Sequence, residues 1–322
     1  MNWFPILLVF LAALLTLRWA LASGWAWRLA VDTPNERSLH QRPTSRVGGL
    51  LVMPWGLIGA WGLGHDAGLG LVLGASVVLL AVSFLDDRYG MPVVLRFGFH
   101  LMAAVVVAWA ASPYWWLVLP LALALGWMTN LYNFMDGADG VAGGMAVTGF
   151  GVYAIAAAQS GDMALAHSSL ALVAVALAFL CFNFPPARIF MGDGGSIPLG
   201  FLAGALGLLG WSRGCWPAWF PLLVFSPFIV DATVTLLRRL VRGEKIWQAH
   251  REHAYQKLVR SGFSHRQLLA VAYPLMLVTG VCALFLRQSS PLVVLMAFAA
   301  WGGVFGLMLI AVERHWRVRE KS

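Results

Sequence analysis

Long apolar runs separated by short polar breaks dominate the chain. They fall at about 3–27, 49–64, 67–85, 92–111, 114–129, 141–158, 163–182, 197–211, 216–237, 267–286 and 291–312, with Gly, Pro, Ser or charge between them. Many runs approach the roughly 20 residues that carry a helix across a hydrocarbon core. The pattern predicts an all-α, polytopic membrane helical bundle of about eleven transmembrane helices. No linker, repeat or hydrophilic stretch long enough to fold alone interrupts it, so residues 1–322 read as one integral-membrane domain.

Composition agrees: the chain is 60% hydrophobic and 11% charged, with 16 tryptophans. Charge then orients it. With the N-terminus periplasmic, one set of loops holds Arg28, Arg37, Arg42, Arg46, Arg88, Arg188, Arg238, Arg239, Arg242, Lys245, Arg251, Lys257, Arg260, Arg266 and the basic tail after Glu313, while the other holds only Arg213 and Arg287. Basic loops stay cytoplasmic, which places the C-terminus there too. The net charge of +8 therefore needs no nucleic-acid partner, and no reader motif stands outside the membrane. Cys181, Cys215 and Cys282 are scattered and suggest neither a disulfide framework nor a zinc site.

The same alternation puts the candidate chemistry on one face. Asp86-Asp87 end the third run, where two carboxylates repel each other and meet the unfavourable end of a helix dipole. A solvated loop start explains them as well as a cation site does. Asn130 to Gly140 (Asn-Leu-Tyr-Asn-Phe-Met-Asp-Gly-Ala-Asp-Gly) lacks the closing glutamate of an EF-hand, and the chain has no dinucleotide or P-loop pattern. What remains is a turn entering a helix, with Asn133, Asp136 and Asp139 able to share a face. Phe190 to Ser196 (Phe-Met-Gly-Asp-Gly-Gly-Ser) offers Ser196 as a helix cap and Asp193 beside a glycine-rich turn, suited to a hard cation on phosphate oxygens. His250-Arg251-Glu252-His253 is not a zinc motif and suits a diphosphate better. Asp231, deep in an apolar run, calls for a partner such as Arg238 or Arg239.

Together these segments, with Asp32 to His40, Arg46-Val47-Gly48-Gly49 and Pro227 to Asp231, resemble the polyprenyl-phosphate N-acetylhexosamine-1-phosphate transferases over nearly the whole chain. The resemblance implies attack of undecaprenyl phosphate on a UDP-N-acetylhexosamine, giving undecaprenyl-diphospho-sugar and UMP at the cytoplasmic face of a bacterial inner membrane. It implies magnesium, or manganese in its place, on Asp193, Asp136 and Asp87. It implies a catalytic set of Asp86, Asp87, Asp136, Asp139, Asp193, His250 and His253. Arg46, Asn133, Phe190, Gly192 and Arg251 would contact substrate, and the family points to a homodimer. The departures (His-Arg-Glu-His-Ala-Tyr-Gln, Arg88-Tyr89-Gly90 after the paired aspartates, Ser45 in place of proline) resemble the O-antigen initiating branch more than the phospho-N-acetylmuramoyl-pentapeptide transferase branch. A secondary transporter is the rival class, but it would show acids near the midplane on broken helices, and here only Asp231 is deep.

Overall fold

A computed structural model describes residues 3–33, 43–64, 66–245, 248 and 250–320. The segment Pro34 to Arg42, which carries much of the first-loop motif, lies outside the described residues, as does Lys321. Fourteen α-helices follow one another among the described residues: α1 (Phe4–Ala22), α2 (Trp25–Leu29), α3 (Gly48–Leu63), α4 (Ala67–Tyr89), α5 (Val93–Ala111), α6 (Val118–Phe134), α7 (Val141–Gln159), α8 (Met163–Asn183), α9 (Asp193–Ser212), α10 (Phe220–Val224), α11 (Ser226–Val241), α12 (Ala254–Arg260), α13 (His265–Leu286) and α14 (Pro291–Glu320). Two short strands, β1 (Val31–Asp32) and β2 (Thr44–Ser45), pair antiparallel and are the only sheet among the described residues.

Nine of the described helices are long and apolar enough to cross a membrane. The two other expected runs form shorter pieces. Run 49–64 becomes the 16-residue α3. Run 216–237 breaks at Phe225 into α10 and α11, each with proline in its first turn, where the missing N–H costs nothing and the helix restarts. The bundle wears its apolar side chains outward, as a bilayer solvent allows: Val94 is 82% exposed, Trp115 80% and Phe285 81%. Trp109, Tyr114, Trp115 and Trp116 cluster between α5 and α6 as an interfacial aromatic belt would.

The centre of the bundle is α9. It is buried along almost its whole length and packs against α3, α4, α5 and α6. Small residues make this approach feasible: Gly200 lies against the Tyr132 Cβ and the Met128 and Thr129 carbonyls of α6. The packing holds the start of α9 beside the ends of α4 and α6.

Candidate active site

The carboxylates of Asp86 and Asp87 occupy the last turn of α4, where the helix dipole offers them nothing. Each is met by a cation. Arg96, in the first turn of α5, places Nη1 at 2.5 Å from Oδ2 of Asp86, whose Oδ1 also accepts the Met91 amide at 2.7 Å. Arg46 places Nη2 at 3.1 Å from Oδ1 of Asp87.

Asp193 opens α9, the favourable end of a dipole for an acid. Gly192 before it has φ +70°, and a Cβ there would strike the Arg46 carbonyl. Ser196 lies inside the helix and does not cap it: its hydroxyl donates to the Gly192 carbonyl and accepts from Asn133. The Asn133 amide, at the end of α6, also donates to Oδ1 of Asp193 at 2.9 Å. Arg96 Nη1 lies 3.8 Å from Oδ2 of the same carboxylate. One guanidinium thus faces two of the expected acids.

The first-loop motif is stitched to this turn. Phe190 donates its amide to Ser45, while Gly48 and Gly49 donate to the Phe190 and Met191 carbonyls at 2.9 and 2.8 Å. Ser45 is buried, its hydroxyl donating to the Ala26 carbonyl at 2.7 Å. This pairing fixes Arg46, Phe190 and Gly192 side by side.

Between α6 and α7 the two aspartates part company. Asp136 is half-buried, and its carboxylate accepts no hydrogen bond among the described residues. Burial, and then the Asp193 carboxylate, hold its pKa well above the usual carboxylate range. Asp139 is occupied elsewhere. Its Oδ2 accepts the Ala187 amide at 3.0 Å and its Oδ1 lies 3.1 Å from Nδ1 of His265. Because α6 ends at Phe134 and α7 begins at Val141, Asn133, Asp136 and Asp139 do not share a helix face.

The His-Arg-Glu-His segment is anchored from below. Asp231 accepts the amides of Ala254 and Tyr255 at 2.8 and 3.2 Å, so it caps α12 and stands 3.5 Å from Nδ1 of His253. The expected partners Arg238 and Arg239 do not reach it. Arg239 instead pairs with Glu244 at 2.8 Å and with Glu252. His253 stacks between Phe134 and Tyr255, with His250 at 4.9 Å. Burial, then His253 and Arg239, push His250 down to about 4, so it is neutral at neutral pH. The Arg251 side chain makes no ion pair with a described residue, although its carbonyl accepts from Arg260.

The structure brings Asp86, Asp87, Asp136, Asp193, Asn133 and Arg46 to one end of the bundle and leaves Asp139 as a latch between loops. Sequence reasoning missed Arg96. It is the only charged residue in run 92–111, a position that by itself marks a functional candidate. It also missed Asn183, which accepts from Gly140 and donates to Ile189, and His265, the partner of Asp139.

The donor set fits a hard divalent cation. Asp136 and Asp193 supply carboxylate oxygens, and an ion there would offset the charge of Asp136, which pairs with no cation among the described residues. Asp87 is turned to Arg46, and among the described residues no three Asp, Glu, His or Cys side chains close around one point. That openness suits magnesium, which takes one or two carboxylates and fills its other positions with phosphate and water.

The family model for "Glycosyl transferase family 4" matches residues 69–210, which run from α4 into α9 and include Asp86, Asp87, Asn133, Asp136, Asp139 and Asp193. Over that stretch the chain is similar to this family. A Bacillus subtilis relative named "Probable undecaprenyl-phosphate N-acetylglucosaminyl 1-phosphate transferase" is 28% identical, covering 81% of this chain and 78% of its own length. A decaprenyl-phosphate N-acetylglucosaminephosphotransferase of Mycobacterium tuberculosis is 29% identical, covering 76% and 72%. The undecaprenyl-phosphate alpha-N-acetylglucosaminyl 1-phosphate transferase of Yersinia pestis is 28% identical, covering 89% and 85%. The family's matched stretch coincides with the helices that deliver the carboxylates.

Proposed function

We propose that this chain transfers N-acetylhexosamine 1-phosphate from a UDP-sugar to a polyprenyl phosphate, undecaprenyl phosphate in a bacterial inner membrane, at the cytoplasmic face. The observation that carries the reading is Arg96, which joins Asp86 of α4 to Asp193 of α9 while Asn133 of α6 clamps the same Asp193. Four helices, α4, α5, α6 and α9, thereby hold two acids, a cation and an amide at one point. Relatives named as transferases of this kind, matched over most of their length, support it.

Chemically, an oxygen of the acceptor phosphate attacks the donor β-phosphorus. The bond from that phosphorus to the bridging oxygen breaks, and UMP leaves with the electron pair. A lipid phosphate with a second pKa of about 6 is largely dianionic at neutral pH and needs little help from a base. Catalysis is then mostly positioning and charge neutralisation. A magnesium ion on Asp136 and Asp193, when bound, screens the diphosphate. Arg96 and Arg46 offer the acceptor phosphate two cations, each balanced by a carboxylate. His250, Arg251 and His253 line the sugar-diphosphate side, Phe190 the uracil. Direct in-line attack is preferred over an aspartyl-phosphate, and phosphate trapped on Asp86 or Asp87 without acceptor would reverse that preference. The finer assignment is initiation of an O-antigen-type polysaccharide by a homodimer.

The test is UMP release by purified protein with undecaprenyl phosphate, magnesium or manganese, and a panel of UDP-sugars that includes UDP-GlcNAc and the muramoyl-pentapeptide donor. Lipid-dependent UMP release supports the reading, and the preferred donor names the branch. Folded protein that releases no UMP from any donor sinks it.

A further inference from the structure

A cavity of about 540 Å³ lies on the flank of the bundle where α11, α12 and α14 meet. It touches the site described above only through Glu252, at the edge of the His-Arg-Glu-His segment. Basic side chains line it from three sides: Arg238 of α11 with Arg242 just past its end, Lys257 of α12 and Arg317 of α14. Its remaining wall is apolar, built by Val234, Leu237 and Val241. Leu237 is 53% exposed and Val241 88%, so the cavity opens onto a surface that water would not favour.

Two carboxylates also line it, and they do not cancel the charge. Glu313 is shared by Lys257 at 2.6 Å and Arg317 at 3.1 Å. Glu252 is shared by Arg242 and Arg239. Arg238 has no carboxylate partner among the described residues and is exposed. Basic residues that merely set topology would be scattered over the loops. Here they converge on one concavity at the basic end of the bundle, beside an apolar strip running along α11. A basic pocket between membrane helices at that level is chemically suited to a lipid phosphate. Leu237 and Val241 extend the match to an acyl chain, which a free phosphate lacks.

We propose that this cavity binds the phosphate headgroup of an anionic membrane phospholipid, with an acyl chain laid along Leu237 and Val241. The lipid bridges α11 to α14, a helix whose main packing partner in the chain is the short α12. The proposal does not depend on the transferase reading, because its readout is lipid binding.

Delipidated full-length protein in a neutral detergent is titrated with phosphatidylglycerol, phosphatidylcholine, inorganic phosphate and undecaprenyl phosphate, and followed by native mass spectrometry and thermal unfolding. Phosphatidylglycerol is expected to bind and raise Tm, while phosphatidylcholine and inorganic phosphate do neither. Arg238→Gln should weaken phosphatidylglycerol binding roughly fivefold, and Arg238→Gln with Arg317→Gln on the order of twentyfold. Both variants should unfold at the wild-type temperature before lipid is added. Equal shifts from phosphatidylcholine, full binding by the double variant, or displacement of phosphatidylglycerol by undecaprenyl phosphate would each overturn the proposal.

Discussion

The hydroxyl of Tyr255 donates to the backbone carbonyl of Phe134 at 2.9 Å, joining the start of α12 to the end of α6. These residues are 121 apart in the chain. Phe134 directly follows the residue that clamps Asp193, and Tyr255 closes the stack that holds His253. The bond therefore ties the histidine side of the site to the carboxylate side. Tyr255→Phe keeps the ring and deletes the donor. We expect a stability loss of about 1 kcal/mol and a several-fold fall in turnover, with donor KM little changed. Steady-state kinetics beside thermal unfolding check it; a Tm loss with unchanged turnover would reduce Tyr255 to a packing residue.

Asn133 and Asp193 make the second prediction. On the proposed function, Asp193→Asn should abolish transfer in a protein that still folds in detergent, because the proposed metal ligand is lost and no packing is. Asn133→Leu leaves Asp193 and Ser196 without their shared donor, and turnover should fall on the order of 100-fold. Magnesium should raise the Tm of the wild type and do so much less in Asp193→Asn. An equal magnesium response in both proteins would remove Asp193 from the ion site.

His250 gives the pH dependence. Its folded pKa of about 4 lies below the ordinary 6.5, so the unfolded chain binds the proton more readily. The stability tied to neutral His250 is fully present above pH 6.5 and is lost as pH falls from there towards 4. Half-burial lets solvent soften the effect. Unfolding temperatures of wild type and His250→Gln, compared from pH 7.5 to 4.5, should converge towards the acid end. Parallel curves would disprove the assignment.

Why some contacts were legible and others were not follows from distance along the chain. The apolar runs are local signals, and they located the helices. The break at Phe225 was hidden because Pro221 and Pro227 sit in a run that is apolar throughout, where composition does not reveal that a helix restarts. The acids on one face followed from loop parity, but their partners did not. Asp231 suggested an arginine two turns along its own helix, whereas backbone N–H groups of α12, 23 and 24 residues away, were better placed to satisfy it. Asp139 looked equivalent to Asp136, yet only a fold that brings Ala187 and His265 to it shows that its carboxylate has protein partners where that of Asp136 has none among the described residues. Arg96 was readable as an isolated charge in an apolar run, and its significance was overlooked.

Gly49 tests the seam between α3 and α9. Its Cα faces Gly195, and a Cβ there would run into the Gly195 backbone, which no rotamer change can relieve. Gly49→Ala should cost about 2–3 kcal/mol and shift the Phe190–Asp193 turn, raising KM for the nucleotide donor. Thermal unfolding and donor kinetics read both effects. Wild-type values in both would show that the helices part easily.

At the opposite end of the bundle, Arg213 at the close of α9 pairs with Asp66 and, at 3.1 Å, with Asp162. Each aspartate is also an N-cap: Asp66 accepts from Leu69 at the start of α4, and Asp162 from Leu165 at the start of α8. One guanidinium thus gathers two helix starts onto the end of the central helix. Burial, the largest single influence, raises the Asp66 pKa, but the Arg213 hydrogen bond and charge together with the backbone amides of Leu69 and Gly68 outweigh it and hold the carboxyl below its ordinary value. The clasp therefore contributes stability above the free carboxyl pKa of about 3.9 and loses it as pH falls below that. The groups are about a quarter to a third exposed, so the contribution is reduced by solvent, and Arg213→Ala should cost about 1–2 kcal/mol at pH 7. Arg213→Lys should recover only part of it, since a single ammonium does not reproduce the two-sided fork. Because Arg213 is far from Asp193 along α9, UMP release at low temperature should stay at the wild-type rate while Tm falls. A loss of activity without a loss of Tm would contradict the separation of the two ends.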